Sequence, residues 1–450
     1  MPRSCRFTQS LAWVLLGTAA GAAPEGLEAA LQSIATKESA KYNCAVSIAY
    51  RDAKGRAASA AGTVDGKSLA AGVHDGYAFG SVTKVLTGAS IMRLVSEGHL
   101  KLHSKVAPLV DPLLAAMAKR DSEQGFTSLA DLWGADNITG LTIQALLSMQ
   151  SGVPDFDTAT PCFPGQGSCV PADALRQDLY TNPSQGISPT RLLDVAWVKN
   201  RWRGPCKPYM PGMSGFCYSS TNFMLLGMVL LAHQGTDKSF KDLDQAVYLP
   251  TYVKESLKFA MAGPPSKYTP VHGFDRTSYN VPKGQHNDHD NWNVSGVFSG
   301  WTASDIVAPA SGITDLIWEV YGPPSSIAPK EFIDKMLPSE SAIYGLATFN
   351  LDRNTGQKGK YGKAYGHLGA TYGYQSVTAY FPGLEMAITV ATNIERDYQE
   401  QPADALCFAY NAAASLLLNR KITCTYSSEG YFSGGCKCDP IEVDETILVV

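Results

Sequence analysis

Apolar positions change period several times along the chain. Leu27, Leu31 and Ile34 recur at helical spacing over residues 24–41, after which CAVSIAY, from Cys44 to Tyr50, alternates apolar with small or polar residues as a half-buried strand does. The RDAKG stretch supplies a turn, and residues 57–62 read as a second strand closing a hairpin. From Ser81 to Glu97 the period is helical again, with Val85, Ala89, Met92 and Val95 on one face and Gly98 at the stop position. The far end mirrors this opening. GYQSVTAYF, a Pro382-Gly383 turn and EMAITVATN predict two strands, followed by a helix over 402–418 whose buried stripe is Leu406, Tyr410, Ala413 and Leu417. Between the two ends lie helical runs and long Pro/Gly loops. The pattern predicts an α/β domain built from residues 24–110 and 301–420, interrupted by a mostly helical domain over 111–300, with a Cys-containing tail at 421–450. No internal repeat is visible.

The chain has 450 residues, 45% of them hydrophobic, enough for a large core. Lys and Arg number 37 against 41 Asp and Glu, so no basic excess exists to follow a phosphate backbone, and nucleic acid is not an expected partner. Arg3 and Arg6 precede the apolar run from Leu11 to Ala23, with small residues before Pro24, which reads as a signal peptide over 1–23 and predicts a secreted protein. Cleavage there would remove Cys5 and two positive charges. The apolar stretch from Phe223 to Ala232 is shorter than the roughly 18 residues a membrane span needs. Of the remaining cysteines, Cys162 with Cys169, Cys206 with Cys217, and Cys424 near Cys436 and Cys438 form close sets that predict local disulfides, leaving Cys44 and Cys407 isolated. Sequons at Asn137 and Asn293 fit the same route.

Chemistry is concentrated at Ser81 and Lys84. Residues three apart at a helix start are neighbours, so the Lys84 amine reaches the Ser81 hydroxyl, while the helix N-terminus offers free N–H groups to a developing oxyanion. A hydroxyl becomes a good nucleophile only when a base takes its proton. His272, His286 and His289 lie among Asp288 and Asp290, but in a polar, turn-rich segment that reads as a solvated loop. No metal and no cofactor is expected.

The stretch YAFGSVTKVLTGAS resembles the nucleophile helix of the serine β-lactamase and penicillin-binding-protein superfamily, in particular its class C β-lactamase and D-alanyl-D-alanine carboxypeptidase branch. LTIQALLSMQSGVPDF, PGMSGFCYSSTNFMLLG, ASGITDL and YGHLGATYGYQS resemble further elements of that family in the expected order, with Met149 and Gln150 where the family usually has His-Thr. The resemblance implies a β-lactamase-like α/β (α+β) fold, an antiparallel sheet flanked by N- and C-terminal helices with an inserted helical domain. It implies Tyr218 as the acid-base partner of Ser81 and Lys84, and Ser220, Asn222, His367, Gly369 and Ala370 as substrate-binding residues. Ser220 stands where the family commonly has Asn, and His367-Leu368-Gly369 where class C enzymes have Lys-Thr-Gly. The N–H groups of Ser81 and Ala370 would form the oxyanion hole. His367 would bond Tyr218 or a substrate carboxylate.

Two acid-base schemes stay open at this level. A phenol titrates near 10, so a Tyr218 phenolate at neutral pH needs ~4 kcal/mol of favourable charge, with Lys84 the source. Otherwise neutral Lys84 takes the Ser81 proton and Tyr218 relays it to the leaving group. The expected activity is a secreted serine hydrolase acting on a small-molecule or peptide substrate: a D-amino-acid peptide, a small ester or, last, a β-lactam. An acyl-transferase on the same site and a catalytically silent binding protein are the alternatives.

Overall fold

The computed structural model describes residues 22–157, 159–160, 172–204, 206, 216–282, 284–323 and 325–424. The expected signal peptide, but for residues 22 and 23, lies outside them, as do Cys162, Cys169, Cys436 and Cys438.

Helix α1 (Leu27–Tyr42) leads into strands β1 (Val46–Asp52) and β2 (Arg56–Ala61), whose turn is closed by Asp52 Oδ1 accepting the N–H groups of Lys54 and Gly55. Helix α2 (Thr83–Ser96) follows a single 3-10 turn, Gly80–Val82, so Ser81 stands just ahead of the α-helix rather than inside it. Helix α3 (Ser220–Gln234) is buried along almost its whole length, and helix α4 is Ala310–Tyr321. Strands β3 (Phe349–Asn350), β4 (Tyr365–Thr371), β5 (Tyr374–Phe381) and β6 (Met386–Thr392) precede helix α5 (Glu400–Leu417).

The six strands form one antiparallel sheet in the order β3-β4-β5-β6-β1-β2, so the chain's two ends meet at the β6–β1 pairing, Val46 opposite Thr392. Successive strand residues face opposite sides. Tyr380 meets Trp318 and Tyr321 of α4, while its neighbour Phe381 stacks on Tyr410 of α5 at 4.4 Å. The sheet is therefore sandwiched between α4 on one face and α5 on the other, which explains why every residue of β5 and β6 is buried.

The intervening residues carry short helices, among them Ala107–Ala118, which runs across the expected boundary at residue 110. Lys258–Phe259 pairs with Ile306–Ala308, which pairs with Tyr77–Ala78, and Phe274–Asp275 pairs with Ile394–Glu395. Strand bonds thus cross the expected boundary at 300.

Cys206 is bonded to Cys217, as their spacing suggests. Cys424 is bonded to Cys407, not to Cys436 or Cys438, which corrects the local reading of the tail. The chain reverses at Asn419, whose φ is 47°, and runs back beside α5, where the Ser415 hydroxyl bonds both the N–H and the C=O of Ile422. That return brings residue 424 level with residue 407. Cys44 is a free, buried thiol.

Candidate active site

Gly80 turns the chain into α2 with φ 51°, and a Cβ there would stand 2.3 Å from the Ala370 carbonyl oxygen. Only glycine permits both the backbone angle and this approach to β4. Gly369 makes the matching allowance, since its Cβ would stand 2.1 Å from the Phe79 oxygen. Ser81 is thereby pressed against the strand that carries Ala370.

The β4–β5 turn has two residues, Tyr372 and Gly373, closed by the pair Thr371 and Tyr374. A closing pair of this kind exchanges hydrogen bonds across the turn, and the alternation of antiparallel pairing then directs the Ala370 N–H and C=O away from β5. They face the Gly80-Ser81 turn, consistent with the close approach just described.

Lys84 is 0% exposed, and its Nζ lies 2.8 Å from Ser81 Oγ, 3.2 Å from Ser220 Oγ and 3.1 Å from the Ala303 carbonyl. These three partners are uncharged. Burial therefore lowers the Lys84 pKa from 10.5 to about 7, against an upward pull from Asp155 and Asp157. The Tyr218 ring centroid stands 5.1 Å from Nζ, and its buried hydroxyl faces Ser81 and Ser220 without closing a hydrogen bond of full geometry. Burial raises its pKa well above 10, with those two hydroxyls opposing. Of the two acid-base schemes, the surroundings favour a neutral lysine and a protonated phenol.

Ser220 opens α3, and its N–H donates to Asp155 Oδ1 at 2.8 Å. Asn222 does not reach Ser81. Two residues further along a helix is about 200° of rotation, so Asn222 turns away from the Ser220 face. There its Oδ1 accepts from Ser151 at 2.6 Å and its Nδ2 donates to Met149 Sδ at 3.4 Å.

His367 is fully buried, and its bonds go to groups other than Tyr218. Its Nδ1 lies 2.5 Å from the Leu368 carbonyl, a donor's position, which leaves Nε2 to accept from the Tyr344 hydroxyl at 3.0 Å. Burial, then the Lys84 charge, lowers its pKa to about 3. It is a neutral imidazole at the base of an aromatic wall made with Phe216, Tyr218, Tyr344 and Phe349.

Sequence reasoning missed Tyr344, whose segment SAIYGLATFN carries no local signal. It also missed how Met149 holds Tyr218. The Met149 carbonyl accepts from Cys217 N–H at 2.8 Å and its sulfur from Ser219 N–H at 3.4 Å, gripping the backbone on both sides of the tyrosine. Met149 itself has φ 57°, a strained value for a side chain of its size that is held by these contacts. Its departure from the family pattern was the available cue. In the polar loop, His272 stacks on Trp292 and bonds Asp290, while His289 stacks on Tyr180 and bonds Asn291.

Residues 45–256 match the family described as Beta-lactamase. No curated protein matches the chain. Among solved structures, a D-amino acid amidase from Ochrobactrum anthropi SV3 with L-phenylalanine superposes with a TM-score of 0.60 at 15% identity, covering 88% of this chain and 99% of that one. A penicillin-binding protein homologue from Pyrococcus abyssi, described as octameric, gives 0.57 at 17% identity, covering 89% and 78%. A D-stereospecific amidohydrolase from Streptomyces sp. gives 0.55 at 17% identity, covering 81% and 94%. At these identities the likeness is one of fold.

Proposed function

We propose that the chain is a hydrolase of the serine β-lactamase and penicillin-binding-protein superfamily, supported by the Beta-lactamase match over residues 45–256 and by the shared fold, and that it hydrolyses an amide or ester through an acyl-enzyme on Ser81. The observation that carries this reading is the buried Lys84 amine, 2.8 Å from the Ser81 hydroxyl with its pKa lowered to about 7. A base poised near the working pH balances the fraction in the right protonation state against proton-transfer driving force.

In this scheme Ser81 Oγ attacks the carbonyl carbon and its proton passes to Lys84 Nζ. The oxyanion accepts from the N–H groups of Ser81 and Ala370. Collapse expels an amine or alcohol, which receives the proton from Lys84 by way of the Tyr218 hydroxyl. Water, deprotonated by the same amine, then attacks the acyl-serine and releases the acid. Ser220 accepts a second hydrogen bond from Lys84, and His367 acts through packing and its bond to Tyr344.

The substrate we favour is a D-amino-acid amide or short D-peptide, in keeping with one structural neighbour named a D-amino acid amidase and another named a D-stereospecific amidohydrolase. β-Lactams come last, because Leu368 removes the hydroxyl that a Thr would offer a carboxylate. Secretion fits the disulfides Cys206–Cys217 and Cys407–Cys424. Among the described residues no helix is long and apolar enough to cross a membrane.

The test is a panel of D- and L-amino acid amides, D-Ala-D-Ala peptides, p-nitrophenyl esters and a chromogenic cephalosporin, run beside Ser81→Ala. Turnover that is D-selective and lost in the variant supports the proposal, whereas turnover that survives Ser81→Ala overturns it.

A further inference from the structure

A second buried polar cluster lies behind the β4–β5 turn, outside the groups used above. Arg176, on the helix Ala174–Thr181, is 3% exposed and faces three carboxylates. Its Nε donates to Asp173 at 3.2 Å, its Nη1 to Asp275 at 2.7 Å, and Nη1 and Nη2 grip Glu395 at 3.0 and 2.8 Å. A buried pair contributes little net stability, and three acids around one guanidinium contribute less, so stability alone is a weak reason for such a cluster.

Its connections supply another reason. Glu395 Oε2 also accepts the Gly373 N–H at 2.9 Å, so the carboxylate that Arg176 holds is itself bonded to the β4–β5 turn. The guanidinium carbon lies 4.8 Å from the Tyr372 ring centroid, and the Tyr372 hydroxyl donates to Asp157 at 3.1 Å. Asp157 is two residues from Asp155, which accepts the N–H of Ser220. The cluster therefore ties the strand carrying Ala370 to the loop that abuts Ser220.

That strand needs a tie. β3 pairs with Tyr365 and Gly366, so from His367 onward β4 has no partner strand among the described residues on its outer side, the side toward which Ala370 directs its N–H. Besides Gly80 and Phe79, the Thr371 hydroxyl bonds the Val297 carbonyl at 2.9 Å and the Tyr374 hydroxyl the Val271 carbonyl at 2.7 Å, while Glu395 holds the N–H of Gly373 within the turn itself. An oxyanion donor must be fixed before the charge develops, since a donor that must first be brought into place loses most of its benefit.

Resting on the Ser81 reading above, we propose that Arg176 is a positioning residue for the Ala370 amide, holding it through Glu395 and Tyr372.

The test compares Glu395→Gln, Arg176→Lys and Tyr372→Phe on the best substrate of the panel, with phenylboronic acid as a probe that forms a tetrahedral adduct with an active serine. The expected result is a kcat lower by roughly 10- to 100-fold in the first two variants, a KM within about three-fold, and boronate affinity falling in the same ratio as kcat. Tyr372→Phe removes one hydroxyl and is expected to lower kcat by roughly three- to ten-fold. Folded variants that keep kcat within two-fold, or that change KM alone, overturn the proposal. Should neither charged variant fold, Tyr372→Phe decides by the same criterion. Failure of the hydrolase reading is distinguishable, because there Ser81→Ala retains turnover.

Discussion

Replacing Lys84 by Met removes the buried amine while keeping an unbranched chain of similar length, and the result depends on pH in a way that the surroundings of Lys84 dictate. In the unfolded chain the amine titrates near 10.5, and in the fold near 7. Below pH 7 both states carry the proton, and the fold bears the full cost of a buried charge, about 5 kcal/mol at about 1.4 kcal/mol per pH unit over the interval from 7 to 10.5. Between those values the unfolded state holds a proton that the native state has lost, so stability rises with pH, and above 10.5 the contribution is flat. Met carries none of this. It also leaves Ser81, Ser220 and the Ala303 carbonyl without their common partner, at about 1–3 kcal/mol for each polar group left unsatisfied, an offset independent of pH. Asp157, which titrates at about 6, and His367, at about 3, lie below the window. Urea denaturation of both proteins from pH 6 to 10 reads the difference. Wild type is expected to gain on Lys84→Met by about 1.4 kcal/mol per pH unit above pH 7, with little change below. A difference that is constant from pH 7 to 10, or that moves the other way, refutes a lysine neutral at working pH.

The remaining predictions concern the groups around this amine. Gly80→Ala drives a Cβ into the backbone oxygen of Ala370, 2.3 Å away, at a φ of 51°, so a fall in stability of about 2 kcal/mol or more and loss of Ser81 labelling by a fluorophosphonate are expected. Met149→Leu keeps the volume and removes the sulfur that accepts the Ser219 N–H, and a two- to ten-fold fall in kcat is expected, with Met149→Gln restoring part of it. NMR of labelled histidine is expected to find His367 neutral, with its proton on Nδ1, down to about pH 4, because burial has taken its pKa to about 3. A His367 that titrates near 6 would contradict the bond to Tyr344.

The sheet and its flanking helices were legible because their apolar periods are regular: α1, α2, α5, β1, β2, β5 and β6 all lie where Leu31, Val85, Tyr410 and the alternating strands put them. Ser81 and Lys84 were legible because their meeting is local, one turn of chain. Long-range meetings were not. Tyr344 reaches His367 only through the β3–β4 pairing, and Cys424 reaches Cys407 only after the chain reverses past α5, neither of which leaves a mark on neighbouring residues. Asn222 misled for a related reason. A motif names a residue near the right place, but the helix phase set at Ser220 decides which way it points.

The covalent step on Ser81 is what every other role depends on. Intact-mass and peptide mass spectrometry of the enzyme quenched during turnover of a slow ester is expected to find one acyl group, on Ser81, absent in Ser81→Ala and accumulating more slowly in Lys84→Met. An acyl group on another residue, or turnover with no acyl group and undiminished by Ser81→Ala, would contradict it.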